Sequence, residues 1–168
     1  MPCLARQYHG EVLALTIDDE SIATSGALSV VHAADDELKR RYGGDGDDGH
    51  LHVDELAEPL GLFLVARVQG DIAGGIGLRS IGDPAEHLGE IKRLWVRPDL
   101  RRGGVAVSLM NEIESRARSL GYVRLYLETG PKQPEAVALY SRIGWDRVQD
   151  YPADVFCHPM SHRFTKAL

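Results

Sequence analysis

The sequence is poor in cysteine. Its 168 residues hold two, Cys3 and Cys157, so no disulfide framework is implied and a reduced, cytoplasmic setting is the expectation. No apolar run approaches the roughly 18 residues that a membrane span needs. The opening MPCLARQYHGEV lacks the basic flank and apolar stretch of a secretory signal. Positive charge is not in excess: 19 Lys and Arg face 25 Asp and Glu, a net charge of -6 at pH 7. That argues against a nucleic-acid-binding surface. Metal-ligand patterns are missing too. His50 and His52 alternate, and His158 and His162 stand four apart, but no cysteines complete a zinc set. Asp45, Asp47 and Asp48 lie in GGDGDDGH (Gly43 to His50), whose ligand order fails the calcium-loop pattern. That patch reads as a solvated acidic loop, and no metal is expected.

What is present is an ordinary globular composition, 43% hydrophobic and 26% charged. With no repeat and no long linker, one domain over residues 1–168 is expected. EVLALTI (Glu11 to Ile17) has strand composition, and ALSVVHAADDELKRRY reads as a helix ending at Tyr42, stopped by Gly43. VDELAEPL suggests a short helical turn broken by Pro59. Two β-rich runs, Leu62 to Val68 and Ile72 to Ile81, flank Gln69-Gly70-Asp71 and read as a hairpin. HLGEIKRLWVRP is a third strand, ended by Pro98.

The period then changes. Ala106, Leu109, Met110, Ile113, Ala117 and Leu120 fall at helical spacing, with Glu112 and Glu114 among the polar positions between them, until Gly121. VRLYLET is a strand, and Pro134 opens a helix whose Ala136, Leu139, Tyr140 and Ile143 share a face. WDRVQDY and HRFTKAL read as the last strands. Strand–helix–strand stretches want parallel pairing and the hairpin wants antiparallel pairing, so the sheet is expected to be mixed, with helices on its faces.

One junction suggests chemistry. RPDLRRGGVAV runs from a strand end into a helix start, and two glycines are costly there unless something must come close to the backbone. The first amides of a helix lack partners inside it and the helix dipole adds positive potential, which together suit a phosphate. The P-loop pattern fails, because Val-Ala follows Gly103-Gly104 where Lys-Ser/Thr is needed. The glycines of AGGIGL (Ala73 to Leu78) sit inside a strand pattern and read as close packing or a bulge.

At this junction the chain resembles the GNAT (Gcn5-related) N-acetyltransferases, whose acetyl-CoA motif is Arg/Gln-x-x-Gly-x-Gly/Ala. Arg101, Gly104 and Ala106 match it. EIKRLWVRP is similar to that family's fourth strand, and LETGPKQPEAVALYSRIGW to its fifth strand and following helix. The resemblance covers roughly residues 60 to 150. It implies an α/β fold with a mixed, mostly antiparallel sheet of six or seven strands, splayed between the family's strands 4 and 5.

The resemblance also implies roles. Backbone groups of Leu94, Trp95 and Val96 would pair with pantetheine. The turn and first helical residues Arg101, Arg102, Gly103, Gly104, Val105, Ala106 and Val107 would hold the pyrophosphate, with Gln133 a further cofactor contact. Tyr140 would protonate the departing thiolate, and a phenol near pKa 10 keeps its proton at neutral pH. Glu90 would be the base, directly or through a water, with Glu128 in reserve as base or as a contact for a cationic amine. Strand alternation puts Glu90, Lys92, Leu94 and Val96 on one face unless a bulge intervenes.

The function implied is transfer of the acetyl group of acetyl-CoA to a primary amine, a small molecule by preference. The rivals are acetylation of protein N-termini or lysines, and a non-catalytic acyl-CoA-binding module. Neither nucleic acid nor membrane is an expected partner, and homodimers are common in that family.

Overall fold

A computed structural model describes residues 4–8, 11–44, 52–152 and 155–168. The acidic patch Asp45 to Asp48, with His50 and Cys3, lies outside the described residues. The elements in chain order are β1 (Leu4–Tyr8), β2 (Glu11–Asp19), α1 (Ser25–Tyr42), β3 (Leu62–Val68), β4 (Asp71–Ile81), β5 (Leu88–Val96), α2 (Val105–Ser119), β6 (Arg124–Thr129), α3 (Pro134–Arg142), β7 (Asp146–Val148) and β8 (His162–Ala167). The strands form one sheet in the order β1-β2-β3-β4-β5-β6-β8-β7. The edge strand β1 lies in a stretch that the sequence leaves unassigned, and β7 is shorter than WDRVQDY suggests. The turn expected in VDELAEPL is a single 3-10 turn, Val53–Leu56.

All neighbours pair antiparallel except β5 and β6, which run parallel. Their ladder is short. It joins Leu88 to Arg124, Gly89 to Leu125 and Glu90 to Tyr126, and ends there. Beyond Glu90 the two strands diverge, and β6 turns its other edge to β8 through Thr129. This is the expected splay, and Glu90 stands at its crotch.

Alternation sorts side chains onto two covered faces. On one, Phe63, Val65 and Leu56 pack under Ala27, Val30 and Val31 of α1. On the other, Leu64, Ile76, Leu78, Leu125, Leu127 and Phe164 pack against Leu109, Met110 and Ile113 of α2. Tyr140 of α3 and Trp145 complete that second cluster. Helix α1 starts at the Thr24 cap, whose Oγ1 accepts from the Ala27 N–H (3.1 Å). Its last turn carries Lys39, Arg40 and Arg41, which suit the negative end of the dipole. Within α2 the polar stripe expected from sequence has one exception. Glu114 is buried, where it accepts from Trp145 Nε1 (3.0 Å) and binds Lys166 Nζ (2.8 Å). Two distant donors make that site habitable for a carboxylate.

Among the described residues no helix is long and apolar enough to cross a membrane.

Candidate active site

The β4–β5 register slips by one between Gly75 and Gly77: Gly75 faces Trp95, but Gly77 faces Lys92. The extra residue is in β5, where Arg93 takes φ +56. The bulge intervenes in the alternation that sequence predicts. Glu90 and Lys92 share the α1 face, as Arg79 and Gly77 opposite them do. After the bulge the phase reverses, so Trp95 packs with the α1 cluster and Leu94 and Val96 with the α2 cluster. Arg93 also reaches α1, at 2.8 Å from Asp35. The glycines of β4 let the kinked strand close up, since a Cβ on Gly74 would collide with the Trp95 carbonyl.

Glu90 is fully buried, at 0% exposure, and surrounded by donors. Its Oε2 accepts from Arg79 Nε and Nη2 (2.7 Å each). Its Oε1 accepts from the Tyr151 hydroxyl (2.7 Å) and faces Lys92 Nζ (3.2 Å). Arg79 continues to Glu55 (2.7 Å), and Lys92 to Glu128 (3.6 Å). Buried charges persist when each is paired in this way. Glu128 accepts from Ser161 Oγ (2.7 Å) and the His158 N–H (3.2 Å). Cys157 lies beside it, and burial first, then the Glu128 charge, push that thiol up to about 12.

Sequence reasoning misses Tyr151. The residue follows a short strand with no local pattern around it, and only the tertiary fold brings its ring edge-on to Tyr126 (5.2 Å) and its hydroxyl to Glu90. Burial and the adjacent Glu90 charge hold its phenol far above the ordinary value.

Tyr140 lies on the opposite face, packed against Phe164 (5.5 Å) and Trp145 (6.3 Å). Burial raises its phenol well above the usual range. Tyr140 and the Glu90–Tyr151 pair therefore lie on opposite faces of the sheet.

At the helix start, Gly104 is the N-cap with φ +88, a left-handed conformation that favours glycine. The first helical bond there runs from the Ser108 N–H to the Gly104 carbonyl (3.0 Å). The N–H groups of Arg102 to Val107 have no backbone acceptor among the described residues, so this turn fits an anion. Arg101 faces away from it. Its Nε donates to the Val96 carbonyl (2.9 Å), and its Nη2 meets Glu37 of α1. The Gln133 side chain accepts from Gly130 N–H (3.1 Å) and Thr129 Oγ1 (3.2 Å), closing its own turn. No group of three or more His, Cys, Asp or Glu able to hold a metal occurs among the described residues.

Glu37 also accepts from Trp95 Nε1 (3.1 Å) and Arg41 Nη2 (2.6 Å). Arg41 in turn meets Glu135 at the start of α3 and donates to the Lys132 carbonyl (2.9 Å). The chain Arg101–Glu37–Arg41–Glu135 thus spans the two walls of the splay.

The sequence model of the Acetyltransferase (GNAT) family matches residues 31–145. An IAA acetyltransferase of Azospirillum brasilense is 36% identical over 135 residues, covering 78% of this chain and 84% of that protein. The uncharacterized N-acetyltransferase YjgM of Escherichia coli K12 is 28% identical over 123 residues, covering 68% of this chain and 73% of that protein. Among solved structures, an acyl-CoA N-acyltransferase of Klebsiella pneumoniae superimposes with a TM-score of 0.73 at 26% identity, over 92% of this chain and 97% of that one. The splayed sheet, the bulged strand, the open helix start and these similarities together make the chain a member of the GNAT family of acetyltransferases, enzymes of acetyl-CoA-dependent acyl transfer.

Proposed function

We propose that the protein acetylates a primary amine of a small molecule by direct attack on acetyl-CoA, in a ternary complex, with the base on the α1 face and the acid on the α3 face. The observation that carries this reading is the position of Glu90. It stands where the β5–β6 ladder ends, with its carboxylate buried and Tyr151 as its hydroxyl neighbour.

The amides of Arg102 to Val107 bind the pyrophosphate, and Leu94, Trp95 and Val96 line the β5 wall of the cleft. The Val96 carbonyl is already taken by Arg101, so Arg101 shapes this wall and the amides carry the anion. Glu90 takes the proton of the acceptor through Tyr151. A free phenolate is not accessible at Tyr151, because burial and the Glu90 charge oppose it. The two protons therefore move together: the amine proton to the Tyr151 oxygen, and the phenolic proton to Glu90 Oε1. Tyr140, kept protonated by burial, supplies the proton to the departing thiolate.

Thiol release with acetyl-CoA, measured across a library of small amines and a panel of peptides, tests the proposal. Turnover of small amines is expected to exceed that of peptides. Release from no amine, with tight acetyl-CoA binding retained, would identify a binding module instead.

A further inference from the structure

Three arginines near the cleft are matched to carboxylates: Arg79 to Glu90, Arg93 to Asp35, Arg101 to Glu37. Two others are not. Arg147 and Arg163 line a cavity of about 450 Å³ at the open end of the β7–β8 hairpin, together with Ser161 and His162. Neither has a carboxylate within ion-pair distance among the described residues. Arg147 Nη2 lies 2.6 Å from His162 Nδ1, and since a guanidinium has no lone pair to offer, that nitrogen is the acceptor. Arg163 Nη1 donates to the Gln149 carbonyl (2.7 Å), while its Nε is buried with no hydrogen-bond partner. Arg163 pairs in register with Glu128, but that carboxylate is taken by Ser161 Oγ, the His158 N–H and Lys92.

The buried Nε–H of Arg163 is left without an acceptor beside this cavity, a cost that an anionic ligand there would remove. The planar guanidinium fork suits a carboxylate or a phosphate. Ser161 connects the cavity to the reacting end. It lines the cavity and donates to Glu128, which faces Lys92 and through it Glu90.

We infer that the acceptor carries an anionic group, a carboxylate or a phosphate, in addition to its amine, and that Arg163 and Arg147 hold that group in this cavity. This rests on the acyl-transfer reading above and narrows its substrate class to amino acids and amino-phosphate esters.

The test uses matched amines that differ in charge: L-amino acids against their C-terminal amides, and O-phosphoethanolamine against ethanolamine. Which arm wins distinguishes carboxylate from phosphate. The anionic member is expected to have a kcat/KM about tenfold or more above its neutral partner, the size of one charge-assisted hydrogen bond. That ratio should fall toward one in Arg163→Gln and in Arg147→Gln, and be partly kept in Arg163→Lys. Acetyl-CoA affinity, read on the same samples, reports an intact cleft. Equal or better turnover of the neutral partners, or a ratio that survives both substitutions, overturns the inference.

A second measurement needs no turnover. Inorganic phosphate should shift the Arg163 Nε–H resonance saturably, with a Kd on the order of 10 mM or tighter, and no shift would equally overturn the site. Phosphate binding without thiol release from any amine would sink the acyl-transfer reading alone. Thiol release without charge preference would sink the anion site alone.

Discussion

The Tyr151 hydroxyl donates to Glu90 Oε1 across 2.7 Å, from a loop 61 residues away in sequence, onto a carboxylate with no exposure to solvent. In the proposed reaction an acceptor amine would meet the tyrosine before it meets the carboxylate. Tyr151→Phe keeps the ring and its contact with Tyr126 but breaks the proton path. Turnover should fall about a hundredfold, the usual scale of one positioned proton-transfer group, while the acetyl-CoA Kd stays within about twofold. Glu90→Gln should lower turnover at least as far. A full rate in Tyr151→Phe alongside a collapsed Glu90→Gln would show that the proton leaves by another route, such as a water.

The turn proposed to hold the pyrophosphate gives a test of the donor side alone. Gly104 sits at φ +88, at the start of the turn whose Arg102 to Val107 amides have no backbone acceptor among the described residues. Gly104→Val would place a branched side chain there in a disfavoured backbone region, at a conformational cost of about 1–2 kcal/mol. The acetyl-CoA Kd should rise more than tenfold, with a lower melting temperature. Ala106→Gly, inside the first helical turn, should change the Kd by less than about threefold, because the helix loses only its small propensity advantage. Isothermal titration with acetyl-CoA separates the two. Equal Kd values for both variants would remove Gly104 from the binding site.

These two cases mark how far the sequence could be read. The strand-to-helix turn at Gly103-Gly104 was legible as structure because a helix start, a glycine and a preceding strand are local signals. So was the place of Glu90 early in a strand that stops short of Pro98. The bulge at Arg93 was not legible. Nothing in EIKRLWV distinguishes a kinked strand from a straight one, and the kink depends on Gly74 and Gly75 in the neighbouring strand. Its consequence was large, because it sends Leu94 and Val96 to the face opposite Glu90. Arg101 illustrates a second limit. The motif places Arg101 at the turn before α2, yet the side chain follows Glu37, a partner 64 residues upstream on α1. Long-range pairs of this kind decide where charged side chains point, and no local spacing encodes them.

Glu37 joins Trp95, Arg101 and Arg41 and so ties one wall of the splay to the other. Glu37→Gln should weaken acetyl-CoA binding several-fold by loosening both walls, and Arg41→Gln should do the same from the α3 side. The pH dependence has a definite sign. Burial pushes the Glu37 carboxyl up, but hydrogen bonds from Arg101 and Arg41 outweigh it and leave its pKa below the ordinary carboxylate value. Its stabilisation is therefore complete above the unfolded value of about 4.3 and is lost as pH falls through the lower folded value. Wild type should lose melting temperature more steeply than Glu37→Gln between about pH 4 and pH 2. Parallel melting curves would show that the hub contributes no net stability.

Cys157 decides whether a covalent acetyl-enzyme is available. It lies against Glu128, on the side proposed for the acceptor. Burial, then the Glu128 charge, push its thiol up to about 12. An ordinary cysteine near 8.5 has an appreciable thiolate fraction at pH 8, and this one has almost none. Alkylation of Cys157 by iodoacetamide at pH 8, followed by peptide mass analysis, should run more than a hundredfold slower than that of glutathione. Glu128→Gln removes the second-largest cause and should speed it. Direct attack by the amine then leaves Cys157 without a covalent role, so Cys157→Ala should retain turnover with intersecting, sequential initial-rate patterns. Parallel, ping-pong patterns in the wild type that disappear in Cys157→Ala would replace the ternary-complex route with a thioester on this residue.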